Sequence, residues 1–356
     1  RPVQAARSLS TSALTGITLY SPKELIISAR AGTLLADIEA ALAENGQHLI
    51  AEPPALEGQT LGGVIAANVS GPRRVAWGAM RDHVLGTRAV TGHGEVIHSG
   101  GRVLKNVTGL DLCKLLTGSH GTLGIITEVT LKVLPAPEAV GTVVVAGLDA
   151  VAGVAVLSAA LGSPYGVSAA AWLPAEAASR VSGLDGFPGA VALVRIEDFA
   201  SSVSYRTERL RGGLGQPRSE VLGDAASREV WSAIRDQRPL PAEPGDAVWR
   251  ISVRPSAGPV VLRMLSDGMG AKGYLDWGGG LVWVSAPATA AAHDAIEAAA
   301  AQAGGTWMLM RGPEALRTAV SVIPPEPEPL SRITRRVKAA LDPHGILNPG
   351  RLYGGL

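Results

Sequence analysis

The chain predicts an α+β protein with two domains, a glycine-rich ligand-binding half followed by a half of mixed helices and strands. Three observations predict it. Two glycine-bearing segments, 60–74 (TLGGVIAANVSGPRR) and 118–135 (GSHGTLGIITEVTLKVLP), lie in the first part of the chain. From residue 140 onward, helix-like and strand-like stretches alternate without such loops, the pattern of a compact α+β unit. Pro135-Ala136-Pro137 punctuates the change, and 356 residues are enough for two domains.

Taken in order, residues 25–31 alternate as a short strand. Thr33 is placed to cap a helix whose apolar positions Leu34, Leu35, Ile38 and Leu42 recur at helical spacing, with Gly46 as its stop. Residues 60–67 read as a glycine-opened loop beside a short apolar strand. A hairpin follows, 87–91 against 95–98, turning through Gly92-His93-Gly94. Residues 111–116 form one or two helical turns leading into the second glycine loop, and 125–134 alternate as a strand. In the second domain the periodicity predicts helices at 150–161, 201–214, 225–235, 259–269 and 288–303. Strands are predicted at 167–173, 190–196, 249–253 and 281–285. Four prolines within 324–329 make a stiff extended linker, and 331–341 is a basic amphipathic helix ending at Asp342-Pro343. No internal repeat is present.

Composition narrows the function classes. The chain is 46% hydrophobic and 18% charged, so it is globular; at 4% aromatic, its core rests on Ala, Val, Leu and Ile. A net charge of +1 with mixed signs offers no basic stripe for nucleic acid. The single cysteine, Cys113, excludes an internal disulfide framework or a cysteine metal cluster and reads as a small core residue. Residues 1–12 hold no apolar targeting core. The low-charge run 139–162 approaches membrane-spanning length, but Gly141, Gly147, Asp149 and Gly153 break it, with Asp149 placed as a helix N-cap after a strand.

Glycine permits positive φ and lets backbone N–H groups approach a ligand. Two loops of this kind suit the pyrophosphate of a dinucleotide-like cofactor gripped from two sides. The order EPP–TLGGVIAANVSGPRR–WGAMRDHVLGTRAVTGHGEVI–GGRVLKNVTGLDLCKLLTGSHGTLGIITEVTLKVLP–NPGRLY resembles the vanillyl-alcohol-oxidase (PCMH-type) family of FAD-binding domains. The resemblance runs nearly continuously over 21–137 and returns over 342–353. Within that family the chain is most similar to the FAD-binding E subunits of glycolate oxidase (glycolate dehydrogenase) complexes.

The resemblance implies a vanillyl-alcohol-oxidase fold with a reduced α+β second domain. Its parts would be an FAD-binding domain at 1–138, a cap-like α+β domain at 139–329, and a segment, 330–356, that returns to the FAD domain. It also implies a further βαβ portion, with a first pyrophosphate loop, ahead of Arg1. The cofactor implied is non-covalent FAD, since no His or Cys stands in 53–63. The FAD contacts carried over are Thr60, Gly62, Gly63, Ala67, Asn68, Ser70, Gly71, Arg73, Gly118, Ser119, Gly121, Thr122, Gly124, Ile126 and Asn348. The activity implied is oxidation of glycolate to glyoxylate with electrons passed to an acceptor other than oxygen. The partners implied are a related catalytic flavoprotein subunit and an iron–sulfur subunit, and the location is cytoplasmic, at the inner membrane through the complex.

Several residues carry two readings. Asn68 and Ser70 offer uncharged groups to phosphate oxygens or form an Asx turn. Arg73 and Arg74 neutralise an anionic cofactor or are solvated. Asp82 is a helix cap or an ion-pair partner; Lys105, Asn106 and Asp111 pack beside the cofactor loop. Arg250 presents a guanidinium to a carboxylate or is a strand-surface arginine. The seven histidines include no H-x-x-H pair, and the turn 275–280 (LDWGGG) stands where related catalytic subunits carry metal-binding histidines. Substrate oxidation is therefore assigned to a partner, and electron transfer or structural support to this chain. The alternatives are a self-sufficient FAD-dependent 2-hydroxy-acid dehydrogenase and a flavin-free scaffold.

Overall fold

The computed structural model describes residues 1–101 and 110–354; Lys105 and Asn106 lie outside the described residues. Two compact units emerge. The first takes Arg1–Gly71, Gly78–Ala136 and Pro325–Leu356, and the second takes Pro72–Trp77 and Pro137–Pro324.

The chain begins with β1 (Ile17–Ser21), β2 (Ile26–Arg30), α1 (Leu35–Ala43), β3 (Gln47–His48) and α2 (Leu61–Ala67). The short helices α3 (Arg74–Trp77) and α4 (Met80–His83) follow, then β4 (Val84–Val90), β5 (Val96–Gly100), α5 (Leu112–Leu116), β6 (Ile125–Lys132) and β7 (Leu134–Pro135). In the first unit β1-β2-β6-β4-β5 form an antiparallel sheet, with β3 and β7 paired separately. Its core joins the inward faces of β2, β4 and β6 to one side of α1 and α2, with Ile38, Leu42, Val64 and Ile65 fully buried. The expected hairpin is β4–β5. Thr33 does not cap α1: the residue before the helix is Leu34, and the Thr33 hydroxyl lies on the Gly16 backbone instead. Gly46, at φ +61°, ends the turn as expected.

The 60–67 segment departs from expectation. It is helix, not strand, and Thr60 is its N-cap, accepting from the Gly63 amide at 3.3 Å. Asp82 is a cap as well, accepting from the Ala79 amide at 2.8 Å, and Asp111 caps α5 by accepting from Lys114 N.

The second unit runs through β8 (Ala139–Ala146), α6 (Ala150–Leu161), β9 (Val167–Leu173), α7 (Ala175–Ala178), β10 (Val191–Asp198), α8 (Ala200–Leu214), β11 (Ser219–Leu222) and α9 (Asp224–Arg235). It continues with β12 (Asp246–Ser252), α10 (Gly258–Met269), β13 (Lys272–Asp276), β14 (Leu281–Pro287), α11 (Ala290–Gln302), β15 (Thr306–Arg311) and α12 (Glu314–Ala319). Eight antiparallel strands line up as β11-β8-β10-β9-β13-β14-β12-β15. Helices cover both faces, so alternate residues of one strand enter two different cores: Val143 and Val145 join one, Val144 the other. The low-charge run 139–162 is thus β8 followed by α6, with Asp149 capping the helix through Ala152 N. Gly153 does not break α6. It lets the helix lie directly on Trp172, which a Cβ there would strike. Among the described residues no helix is long and apolar enough to cross a membrane. The chain then returns to the first unit as α13 (Leu330–Leu341).

Candidate functional site

The two glycine segments wall one cavity of about 530 Å³ in the first unit, within the roughly 300–1,000 Å³ typical of small-molecule sites. Thr60, Gly62, Gly63 and Ala66 line it from α2 and its cap; Gly121, Gly124, Ile125 and Ile126 line it from the loop before β6; Asn348 closes it from the C-terminal segment. No carboxylate side chain is among the lining residues, while Arg7 contributes a guanidinium. That donor set fits an anionic, elongated cofactor such as a flavin dinucleotide.

The glycines serve different ends. At Gly62 a Cβ would come 2.8 Å from Ala31 Cβ and 2.9 Å from its carbonyl, so glycine is required there by the close crossing of α2 over the end of β2. At Gly63 a Cβ would meet only the Thr60 hydroxyl, at 3.4 Å, which leaves that face open to the cavity. Gly121 has φ +71° and would meet Asn348 Nδ2 at 2.8 Å. Gly124 lines the cavity, yet its Cβ would point into the core against Leu116, 3.3 Å away.

Most hinge amides are already used within the protein. Gly62 N donates to Ala31 O (2.7 Å), Gly118 N to Ile65 O (3.0 Å), His120 N to Ala66 O (2.8 Å) and Thr122 N to Ser119 O (3.0 Å). The expectation that both hinges grip the ligand through free amides is corrected: the Gly118 and His120 bonds dock the second loop onto α2, the Gly62 bond ties α2 to Ala31, and the Thr122 bond closes a turn within the loop. Gly121 N makes no hydrogen bond among the described residues.

Other predicted contacts are spent on structure. Asn68, at φ +50°, ends α2, and its Oδ1 accepts from Arg81 N at 3.0 Å. Ser70 Oγ accepts from Met80 N at 2.9 Å. Gly71 passes so close to the Glu52 carbonyl that a Cβ would strike it. Gly118, at φ +85°, packs on Asn68. Ala66, rather than Ala67, faces the cavity. Arg73 belongs to the second unit, where its fork is filled by Glu197 (2.6 and 3.0 Å) instead of a pyrophosphate.

Ser119 and Thr122 face a different, mostly apolar cavity of about 300 Å³, shared with Ile333, Val337 and Lys338 of α13. Lys338 is buried there. Its Nζ donates to Thr122 O (2.7 Å), Asp342 Oδ2 (2.6 Å) and Leu347 O (2.9 Å), which uses all three ammonium protons. Asp342 also accepts from Ile346 N and Leu347 N. One residue further on, Asn348, at φ +43°, donates its Nδ2 to His120 O at 2.7 Å. The C-terminal segment is therefore tied to the glycine loop at two points.

His120 lines the cavity at φ +52°. Burial, then the nearby Arg351 charge, lowers its pKa to about 4, so it is neutral at pH 7. Sequence reasoning missed His120 and Arg7. The available signal for His120 was its place between Gly118 and Gly121; for Arg7 no motif existed.

Comparison with known proteins agrees with this geometry. A family model described as an FAD binding domain matches residues 3–100. Glycolate oxidase subunit GlcE of Escherichia coli (strain K12) is 36% identical over 361 residues, covering 100% of this chain and 89% of that protein. Glycolate oxidase subunit GlcD of Bacillus subtilis (strain 168) is 33% identical over 137 residues, or 38% of this chain and 29% of that one. A D-lactate dehydrogenase of Anaerostipes hadrus is 37% identical over a similar share, 38% of this chain and 29% of that one. Among solved structures, alkyldihydroxyacetonephosphate synthase superposes with a TM-score of 0.67 at 19% identity, covering 94% of this chain and 65% of that one, a likeness of fold alone. The full-length match and the cavity walled by the glycine segments together place the chain in the glycolate oxidase GlcE family, built on an FAD binding domain.

Proposed function

We propose that the chain is the FAD-binding subunit of a heteromeric glycolate oxidase that converts glycolate to glyoxylate and passes the electrons to an acceptor other than oxygen. The observation that carries this is the 36% identity to GlcE over the whole chain, joined to a cavity free of carboxylates and walled by both glycine segments. FAD supplies reversible two-electron chemistry when bound. The chain's own residues hold and orient it: Gly63 and Gly121 allow close approach, Arg7 offsets negative charge, Ile125 and Ile126 exclude water, and Asn348 closes the cavity. Thr60, Gly62 and Gly124 shape the wall, while Gly118, Asn68, Ser70 and Gly71 brace it from behind.

The similarity to GlcD over 137 residues supports a related flavoprotein as the catalytic partner. No group of three His, Cys, Asp or Glu among the described residues is arranged to hold a metal ion. This supports giving the metal-assisted oxidation step to that partner, with an iron–sulfur subunit completing the electron path. In this reading the complex sits on the cytoplasmic side of the membrane, held there by its partners.

The test is flavin content. The full-length protein should carry one FAD that acid releases into solution, and glycolate should bleach it under anaerobic conditions only when the catalytic partner is present. An assembled complex containing flavin in the catalytic subunit alone would overturn the reading.

A further inference from the structure

We infer that the apolar cavity between α13 and the second glycine loop is a binding site for an uncharged, mostly hydrocarbon ligand, the size of two fused rings, that carries one hydroxyl or carbonyl oxygen. All of its lining residues belong to the first unit, and it shares none of them with the cofactor cavity. One loop walls both. Ser119, Thr122 and Leu123 face this cavity, while His120, Gly121 and Gly124 face the other.

Size and lining set the body of the ligand. Leu115, Leu123, Ile333, Val337 and Leu352 supply apolar walls around about 300 Å³. That is roughly twice the ~150 Å³ of an engineered apolar cavity that takes up benzene, so a fused pair of rings fits. Ile333 and Leu115 remain 54% and 38% exposed, so the rim is apolar as well, and a ligand that covers it removes that surface from water.

One polar group inside is left over. Ser119 is 6% exposed, and its Oγ has no hydrogen-bond partner. The other polar side chains of the lining are engaged: Thr122 Oγ1 donates to Ser119 O (2.7 Å), Thr334 Oγ1 donates to Glu326 Oε1 (3.0 Å), and Tyr353 bonds Glu326. A buried hydroxyl without a partner is unfavourable, and folded proteins leave few of them. A water beside it would need about two to four polar neighbours, whereas a ligand oxygen needs only this one. The same inventory sets the charge. Lys338 has no proton left for an anion, and the Glu326 carboxylate repels one. Burial, then the Glu326 charge, raises the Tyr353 pKa to about 12, so the phenol stays protonated beside that carboxylate at pH 7. A cation would give up its hydration to walls of hydrocarbon. A neutral ligand meets none of these costs. The site stands apart from the flavin reading, because none of its residues lines the cofactor cavity.

Binding of 2-naphthol to the full-length protein, followed calorimetrically and by the fluorescence of the probe, tests the site. Saturable binding is expected. Naphthalene should bind about three- to ten-fold more weakly, the worth of one neutral hydrogen bond, and 2-naphthoate more weakly still. Ser119→Ala should bring 2-naphthol down to the affinity of naphthalene and leave naphthalene unchanged, with no loss of Tm, since it removes an unpartnered group. Ile333→Trp, made at an exposed position, should block both probes by filling the mouth. FAD retention is measured on the same samples. No 2-naphthol binding by wild type, equal binding by Ser119→Ala, or tighter binding of 2-naphthoate would each overturn the assignment. Displacement of 2-naphthol by added FAD would put the probe in the cofactor cavity and overturn it too. So would a co-purified complex that excludes 2-naphthol at full flavin content, because the cavity would then be a socket for a partner's side chain. Intact 2-naphthol binding in protein that never takes up FAD would instead count against the flavin reading alone.

Discussion

Gly62 and Gly63 are adjacent, yet the space around them differs, and that difference separates a packing requirement from a binding one. Gly62→Ala drives a methyl into the Ala31 backbone, so it should cost about 1–3 kcal/mol of stability, read as a lower Tm of the apoprotein. Gly63→Ala meets only the Thr60 hydroxyl at 3.4 Å, so apoprotein stability should hold while FAD affinity falls. Equal affinity in Gly63→Ala and wild type would show that the cofactor does not pass this wall. Gly121→Val combines a strained φ of +71° with displacement of Asn348, and should abolish flavin retention. At Gly124 a valine would fail for another reason, by pressing on Leu116 in the core rather than on the ligand. His120 adds a pH signature. Its folded pKa of about 4 lies below the ordinary 6.5, so the unfolded chain takes up the proton first. The contribution of His120 is complete above pH 6.5 and is lost as pH falls toward 4. Urea unfolding across that window should therefore slope downward with acid in wild type, and the slope should flatten in His120→Gln.

At the scale of elements, Lys338 of α13 holds the glycine loop through Thr122 O and the C-terminal segment through Leu347 O and Asp342. Lys338→Met keeps the apolar stem but strands the Asp342 carboxylate, and breaking a buried pair in this way typically costs about 3–5 kcal/mol. Both unfolding free energy and FAD affinity should fall, since the same clasp positions Asn348 against His120 O. Unchanged flavin affinity in a destabilised Lys338→Met protein would confine the clasp to stability. None of this was legible beforehand, because a lysine in a basic amphipathic helix has the pattern of a solvated one. Long periodic elements were legible: α6, α9, α10 and β9 fall where apolar spacing put them. α2 was not, since four apolar residues after two glycines fit a strand as well as a helix; the discriminating signal was Thr60, three residues ahead of the amide it caps. β13 escaped for a related reason: Gly273 to Asp276 are all buried, and a strand buried on both faces loses the alternation that marks a half-exposed strand.

At the scale of the whole chain, each unit is assembled from separated segments, and the residues that secure such returns are the hardest to read from sequence. Arg73 shows why. A guanidinium after a glycine segment has the chemistry of a phosphate ligand, and only the fold reveals that Glu197, 124 residues later, fills its fork at 2.6 Å. This contact fastens Pro72–Trp77 to the second unit, although the chain on either side of that stretch belongs to the first. Glu197 is largely buried, and despite the opposing effect of burial Arg195 and Arg73 hold its carboxyl far below the usual carboxylate range. Glu197→Gln removes the charge that Arg195 and Arg73 share, and should cost about 3–5 kcal/mol at pH 7. Arg73→Gln should cost less, because Glu197 keeps Arg195. The pH dependence has a fixed sign. A depressed carboxyl stabilises fully above its unfolded value of 4.5, and the gain is lost as pH falls below it, because the unfolded chain then binds the proton that the folded one refuses. The stability gap between wild type and Glu197→Gln should therefore be constant from pH 7 to about 5 and narrow below 4.5. A gap that stays constant down to pH 3 would mean that shape, rather than charge, makes Glu197 indispensable.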